Sequence, residues 1–289
     1  MAQVAMIPTH VVGRLGLTRH GKSWRGPCPE CGYSDAFSLQ IIGNDRVRFL
    51  AACGCDRERV EAAIRLVVGG NALPVARYDA GDCAEARERR RQAARRIWDG
   101  SVAAMGTPAD SYLTGRALPG LAASAALRFR GDCHHPEAGR LPAMVAQVVD
   151  VSGVFLAVHR TFLRGDGTGK ADVQPQRASL GSLWGGATRL DILNDELVVA
   201  EGIETAASAG RLLGLPAWAA ISAGNLAQGL VLPPNVRTVV IAADADDPGE
   251  RAARQAALRW EREGRIVRIA RPNACGSDFN DVLRSCKNG

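Results

Sequence analysis

The chain has 289 residues, 46% of them apolar and 23% charged, a composition of an ordinary soluble protein with room for one large or two modest cores and a small appended module. Its net charge of +6 permits a nucleic-acid partner without requiring one, and at 5% aromatics a binding surface built mainly of base-stacking platforms is disfavoured. No run of 18 or more apolar residues occurs and the start lacks an apolar run of signal-peptide type, so a cytoplasmic protein that does not enter a membrane is expected.

After a possible short helix in the first 17 residues comes "WRGPCPECGYSDAFSLQIIGNDRVRFLAACGCDRERV". Cys28 and Cys31 form a C-x2-C knuckle. Two strand-like runs, 37–42 and 47–50, follow around a "GND" turn, and Cys53 and Cys55 close the pattern. Two cysteine pairs separated by a hairpin predict a small zinc ribbon, in which four thiolates hold Zn2+ in a closed tetrahedral site. The second pair is C-x-C, tighter than the usual knuckle, and His20 is the alternative ligand. "DRERVEAAIRLVV" reads as an amphipathic helix capped by Asp56, with Val60, Ile64 and Val67 along one stripe. "GGNALPVARYDAGD" lacks periodicity and reads as a linker, which sets a first module at 1–75.

From residue 84 to 98, "AEARERRRQAARRIW" is a helix carrying six arginines, either a solvated face or a set of phosphate contacts. "TPADSYLTGRAL" predicts a short helix capped by Thr107 or Asp110, with Pro108 in its first turn. "ALRFRGDC", "AMVAQVVDVSG" and "VFLAVHRTFL" read as strands, the last two joined at a Ser-Gly turn. The third runs into "RGDGTGKADVQPQRASLG", read as a glycine-rich loop. Arg160, Lys170 and Arg177, with Arg164, gather cations around one hairpin and loop, a patch suited to nucleotide or nucleic-acid phosphate. Cys133, His134 and His135 lack a companion pair and read as a packing loop. Residues 76–190 form a basic, mixed α/β segment.

From 191 to 289 strands alternate with helices, implying a parallel sheet with helices on its faces. Glu201 follows "ELVVA", and Asp244, Asp246 and Asp247 follow "VRTVVIAA". Asp278 and Asp281 lie in "GSDFNDVL" after the next apolar run. Carboxylates at strand ends sit where open α/β sheets bind ligands. Gathering several of them is costly unless a divalent cation such as Mg2+ or Mn2+ neutralises the charge. Glu201 then serves as general base or further ligand for in-line attack on phosphorus. The competing reading is a set of first-turn acids favoured by helix dipoles, which suits Asp247 best. Glu204, Asp247 and Asp281 are secondary candidates.

"VVAEGIETA", "VVIAADADDPG" and "GSDFNDVL" resemble the three motifs of the Toprim domain shared by bacterial-type primases, topoisomerases and some nucleases. With "GKSWRGPCPECG" and "VHRTFL" upstream, the order of parts is similar to phage- and plasmid-type primases, as carried by mobile elements, with a zinc-binding module. The resemblance implies that Glu201 acts near the reacting 3′-hydroxyl, and that Asp244, Asp246 and Asp278 hold magnesium with the incoming nucleotide. It also implies that the zinc module helps recognise template. Two positions depart from the pattern: Thr205 stands where primase-like motifs place an Asp, with Glu204 beside it, and Asn280 replaces a carboxylate in "DFND".

The expected function is a DNA primase, a nucleotidyltransferase making short RNA primers from ribonucleoside triphosphates on single-stranded DNA during replication. A separate replicative helicase is the expected partner. The alternatives are a nuclease with the same metal chemistry and a non-catalytic DNA-binding accessory. A topoisomerase fits less well, because Tyr33, Tyr78 and Tyr112 lie in the ribbon or near the linker rather than in a cleavage domain.

Overall fold

A computed structural model describes residues 9–21, 23–30, 32, 37–42, 46–51, 57–68, 80–273 and 277–287. The chain divides into two units, 1–83 and 84–289.

The first unit holds α1 (Thr9–Arg14), the strands β1 (Thr18–His20), β2 (Ser23–Gly26), β3 (Phe37–Ile42) and β4 (Arg46–Ala51), and α2 (Arg57–Val68). The strands form one antiparallel sheet in sequence order. Phe37, Leu39, Val47 and Phe49 alternate onto its buried face and meet Val11, Leu15, Val60 and Ile64 from the two helices. That is the period-2 and period-3.6 patterning a sheet covered by helices requires. The expected hairpin, β3–β4, is present. The β1–β2 pair beside it escapes the sequence pattern because strands this short show too little alternation. Cys28 is buried in this core, whereas Cys31, Cys53 and Cys55 lie outside the described residues, as do residues 69–79 of the linker expected at 69–82; its last three residues, 80–82, are helical.

α3 (Ala80–Asp99) runs into the second unit. There follow β5 (Val102–Ala103), α4 (Pro108–Gly115), β6 (Leu127–His135), β7 (Gly139–Val149), β8 (Phe155–Phe162) and β9 (Arg177–Gly181). These five strands form an antiparallel sheet in sequence order. The segment expected to be loop as far as residue 181 therefore ends in a strand: β9 pairs with β8, Arg177 opposite Thr161 and Ser179 opposite His159. "RASLG" is too short and too polar to announce itself, and the long edge of β8 supplies the partner that decides it.

The rest of the unit is α/β, with β10 (Thr188–Arg189), β11 (Glu196–Ala200), α5 (Ile203–Leu213), β12 (Ala217–Ala219), β13 (Thr238–Ala242), α6 (Asp247–Arg262), β14 (Ile266–Ala270) and α7 (Phe279–Lys287). The sheet order is β10-β12-β11-β13-β14, parallel except for β10. β11 and β13 are buried along nearly their whole length, hence their unbroken Leu, Val, Ile and Ala runs. Leaving β11, the chain goes to one side for β12 and to the other for β13, so the order reverses at the β11–β13 seam, where open sheets of this kind form a crevice. One core joins Leu118, Leu127 and Met144 to Val198, Ala206 and Val240. Among the described residues no helix is long and apolar enough to cross a membrane.

Candidate active site

Ala200 and Ala242 are paired at the ends of β11 and β13. Glu201 follows the first directly and Asp244 the second by two residues, so both stand at the seam. The turn next to them is strained: Ile221 holds φ at 70°, a left-handed conformation rare for a β-branched residue. Its N–H donates to the Glu201 carbonyl over 2.8 Å, fixing the backbone that carries Glu201.

The first turn of α5 supplies Glu204 and Thr205. The Thr205 hydroxyl donates to Asp244 Oδ1 at 3.3 Å. Asp244 is half-buried, and burial together with the nearby Asp278 and Asp246 pushes its carboxyl up to about 6. Asp246 caps α6 by accepting from the Gly249 N–H at 2.7 Å, while Asp247 is exposed in the first turn. Asp278 and Asp281 cap α7 reciprocally: the Asp281 N–H donates to Asp278 Oδ1 at 2.9 Å and the Asp278 N–H to Asp281 Oδ2 at 3.3 Å. Asp281 is thereby engaged as a capping residue. A cleft of about 670 Å³ opens beside these acids, lined by Asp244, Asp246, Asp247 and Glu250, with Arg254 and Arg271 converging on Glu250.

This donor set fits a magnesium ion. Three mutually repelling carboxylates, one of them half-buried, are stabilised by a divalent cation. Among the described residues no three Asp, Glu, His or Cys side chains close into a cage. Magnesium does not need one, since one or two carboxylates with water and phosphate oxygens complete its octahedron.

A basic wall faces the acids. Arg177 on β9 is exposed, and its charge acts on Asp244, Glu204, His159 and Lys170. Lys170 is partly buried; burial and the charges of Arg177 and Arg116 lower its pKa, while Glu204 and Asp278 oppose them. Arg160 differs from the sequence expectation in its placement. It is only 6% exposed, and its guanidinium donates to the main-chain carbonyls of His134 and Ala178 at 2.8 and 3.2 Å. Its side chain is engaged in tying β6 to β9, not presented on the wall. His135 is likewise structural: Nδ1 accepts from the Glu137 and Ala138 N–H groups and Nε2 lies 2.9 Å from the Pro175 carbonyl.

The sequence reading assigns no site role to Arg116 or His159, and Tyr112 enters it only as a tyrosine unsuited to a cleavage domain. Tyr112 donates to Glu204 Oε1 at 2.6 Å. Glu204 is 6% exposed. Burial alone would raise its pKa, but Arg177, Lys170 and the Tyr112 hydroxyl outweigh it and hold the carboxyl at about 2. His159 shares a 2.9 Å hydrogen bond with Ser179, and burial and Arg177 depress it to about 4, leaving it neutral at pH 7. Asn280 is fully buried; its amide donates to the Arg116 carbonyl at 2.6 Å and to Ser208 Oγ at 3.0 Å, so this position faces the core between α5 and α7. The one sequence signal for the Tyr112 and Arg116 pair was a capped short helix with polar side chains after its first turn.

Residues 196–289 match the Toprim domain family, and residues 88–190 match a domain of unknown function (DUF7146). Among solved structures the chain is similar to the DnaG catalytic core, at 17% identity over 68% of this chain and 76% of that one, with a TM-score of 0.50. It is also similar to a DNA primase domain from Pseudomonas aeruginosa, at 16% identity over 68% and 74% of the two chains, with a TM-score of 0.46. A third similar structure is the Aquifex aeolicus primase, comprising zinc-binding and RNA polymerase domains, at 13% identity over 96% and 80%, with a TM-score of 0.44. A search of curated proteins finds no match. The Toprim domain at 196–289 coincides with the acid-bearing sheet, and the 68% of this chain covered by the DnaG core is more than that domain alone.

Proposed function

We propose that the protein is a DNA primase, a nucleotidyltransferase that synthesises short RNA primers on single-stranded DNA. The observation that carries this reading is the placement of Glu201 and Asp244 at adjoining strand ends of the sheet seam, opposite a wall bearing Lys170 and Arg177. A nuclease needs the same acids; the cations facing them suit a site that must also hold the polyphosphate of an incoming nucleotide.

Asp244, Asp246 and Asp278 would hold magnesium or manganese. The bound ion would neutralise the phosphates and align attacking and leaving oxygens. Glu201, fixed by the strained turn at Ile221, positions the 3′-hydroxyl and accepts its proton. Lys170 and Arg177 hold the triphosphate and stabilise the charge that builds on the leaving pyrophosphate. Arg116 extends the same positive field towards Asp278.

Three parts divide the work in this reading. Residues 1–75 form a zinc ribbon, through Cys28, Cys31, Cys53 and Cys55, that engages template; 76–190 supply the basic wall; 191–289 supply catalysis. A separate replicative helicase delivers the single strand, the protein acts in the cytoplasm, and a phage or plasmid origin accounts for the arrangement. The test is incubation with single-stranded DNA, magnesium and labelled ribonucleotides. Short RNA products that disappear in Asp244→Ala are expected; shortened DNA without incorporation would make it a nuclease, and unchanged function in Asp244→Ala would make it a binding accessory.

A further inference from the structure

Helix α4 is gripped at three points, and each grip reaches a different part of the site. At its start it carries the glycine-rich loop. Gly167, at φ 73°, lies so close that an added Cβ would stand 2.4 Å from the Pro108 carbonyl oxygen and 2.9 Å from Ser111 Cβ. Only glycine fits this contact. The loop is tightly closed, with the Gly167 N–H donating to the Arg164 carbonyl and the Arg164 N–H to that of Gly169, both at 2.9 Å. It returns to the sheet through a bridge between Leu163 and Lys170. In its middle, α4 sends Tyr112 to Glu204. At its end, the Arg116 carbonyl accepts from the Asn280 amide.

Glu204 itself is the unexpected element. Burying a carboxylate is costly unless charges and hydrogen bonds compensate it, and an apolar residue in the same place is commonly as stable or more so. Here the compensation comes from Tyr112 and from the cations of the basic wall. Its neighbour Thr205, in the same helical turn, touches Asp244 instead. Glu204 is thus bonded to Tyr112 on α4 rather than to Asp244, and the charges of Arg177 and Lys170 act on it.

We propose that Tyr112 and Glu204 are a positioning pair: anchored on α4, they set the segment bearing Lys170 and Arg177 at the spacing from Asp244 and Asp278 that a nucleotide triphosphate requires. This rests on the primase reading and extends it to residues that touch neither metal nor substrate. Tyr112 fixes the carboxylate, the carboxylate draws in the two cations, and Gly167 lets the loop sit down on the helix that carries Tyr112.

The experiment is steady-state primer synthesis on single-stranded DNA with magnesium, varying ribonucleotide concentration, for Tyr112→Phe, Glu204→Gln and Gly167→Ala. Each is expected to raise KM for nucleotide about tenfold, the worth of one charge-assisted hydrogen bond, with kcat within about twofold of the parent. Glu204→Asp should recover part of the loss. If Glu204 acts through Lys170, then Glu204→Gln should add little to Lys170→Ala in the double variant. Wild-type KM in the folded variants, or additive losses in the double variant, would overturn the pair's role. A wild-type protein that makes no primers would instead overturn the primase reading itself.

Discussion

The Thr205 hydroxyl donates to Asp244 Oδ1 over 3.3 Å, so the residue that replaces a motif carboxylate retains a hold on the principal acid of the site. A hydroxyl donor favours the ionised carboxylate, and this bond, followed by the charge of Arg177, lowers the Asp244 pKa against burial and its acidic neighbours. In Thr205→Val that pull is gone, and protons compete with the cation at higher pH. Magnesium binding measured by calorimetry from pH 5 to 8 should show its acid midpoint displaced upwards in Thr205→Val. An unchanged midpoint would mean that the bond does not persist in solution.

Asp244 also makes the site a source of instability. Its carboxyl moves from 3.8 in an open chain to about 6 in the folded protein, so across that interval the folded state binds the extra proton. Stability from this group is therefore greatest at low pH and falls as pH rises from about 4 to 6. At pH 7.5 without divalent cation, Asp244→Asn should gain stability, by at most about 3 kcal/mol for a shift of two units. Magnesium should raise the melting temperature of the parent protein and leave that of Asp244→Asn nearly unmoved. Differential scanning calorimetry with and without chelator tests both.

Asn280 shows why restoring a carboxylate at this motif position would fail. Its amide has two donors, spent on the Arg116 carbonyl and on Ser208, in a fully buried setting. Asn280→Asp removes those donors and buries an acid, which should cost about 2–4 kcal/mol in urea denaturation. It should add neither magnesium affinity nor activity. A gain in either would place residue 280 among the metal-binding acids.

How far the sequence spoke for this fold follows from the range of the interactions. The β11 and β13 runs were legible because strands buried on both faces need unbroken apolar residues, and carboxylates at their ends then mark the crevice. The strand at Arg177–Gly181 was not, since its state is decided by the edge of β8. The same pairing buries Arg160, which by spacing alone is equivalent to any cation of a hairpin. Tyr112 and Glu204 lie 92 residues apart, and Arg116 and Asn280 164 apart. No local pattern encodes such contacts; they arise when α4 packs beside α5 and α7.

The zinc expectation can be tested independently of catalysis. Structural zinc contributes directly to folding free energy, and its ligands bind it as thiolates. Purified protein dialysed against metal-free buffer should retain one zinc by mass measurement. Chelation should unfold residues 1–83 while leaving the Asp244-dependent magnesium response intact, because that response belongs to the second unit. Cys31→Ser and Cys53→Ser should each release the metal. Retention of zinc in Cys55→Ser but not in His20→Ala would transfer the fourth ligand to His20.

Arg177 and Arg160 separate recognition from support. Arg177 is exposed on β9 beside the acids, whereas the buried Arg160 bridges two carbonyls. Arg177→Ala should weaken single-stranded DNA or nucleotide binding and also lower stability, because its charge helps to compensate the buried Glu204 carboxylate. If it contacts one phosphate, the slope of log affinity against log salt should fall by about 1. In Arg160→Met two carbonyls lose their donor, costing about 2–3 kcal/mol of stability, while the salt slope of the folded protein stays as it was. A salt slope that falls with Arg160 and not with Arg177 would move the phosphate contact to the β6 side of the sheet, and the basic wall would have to be redrawn around that strand.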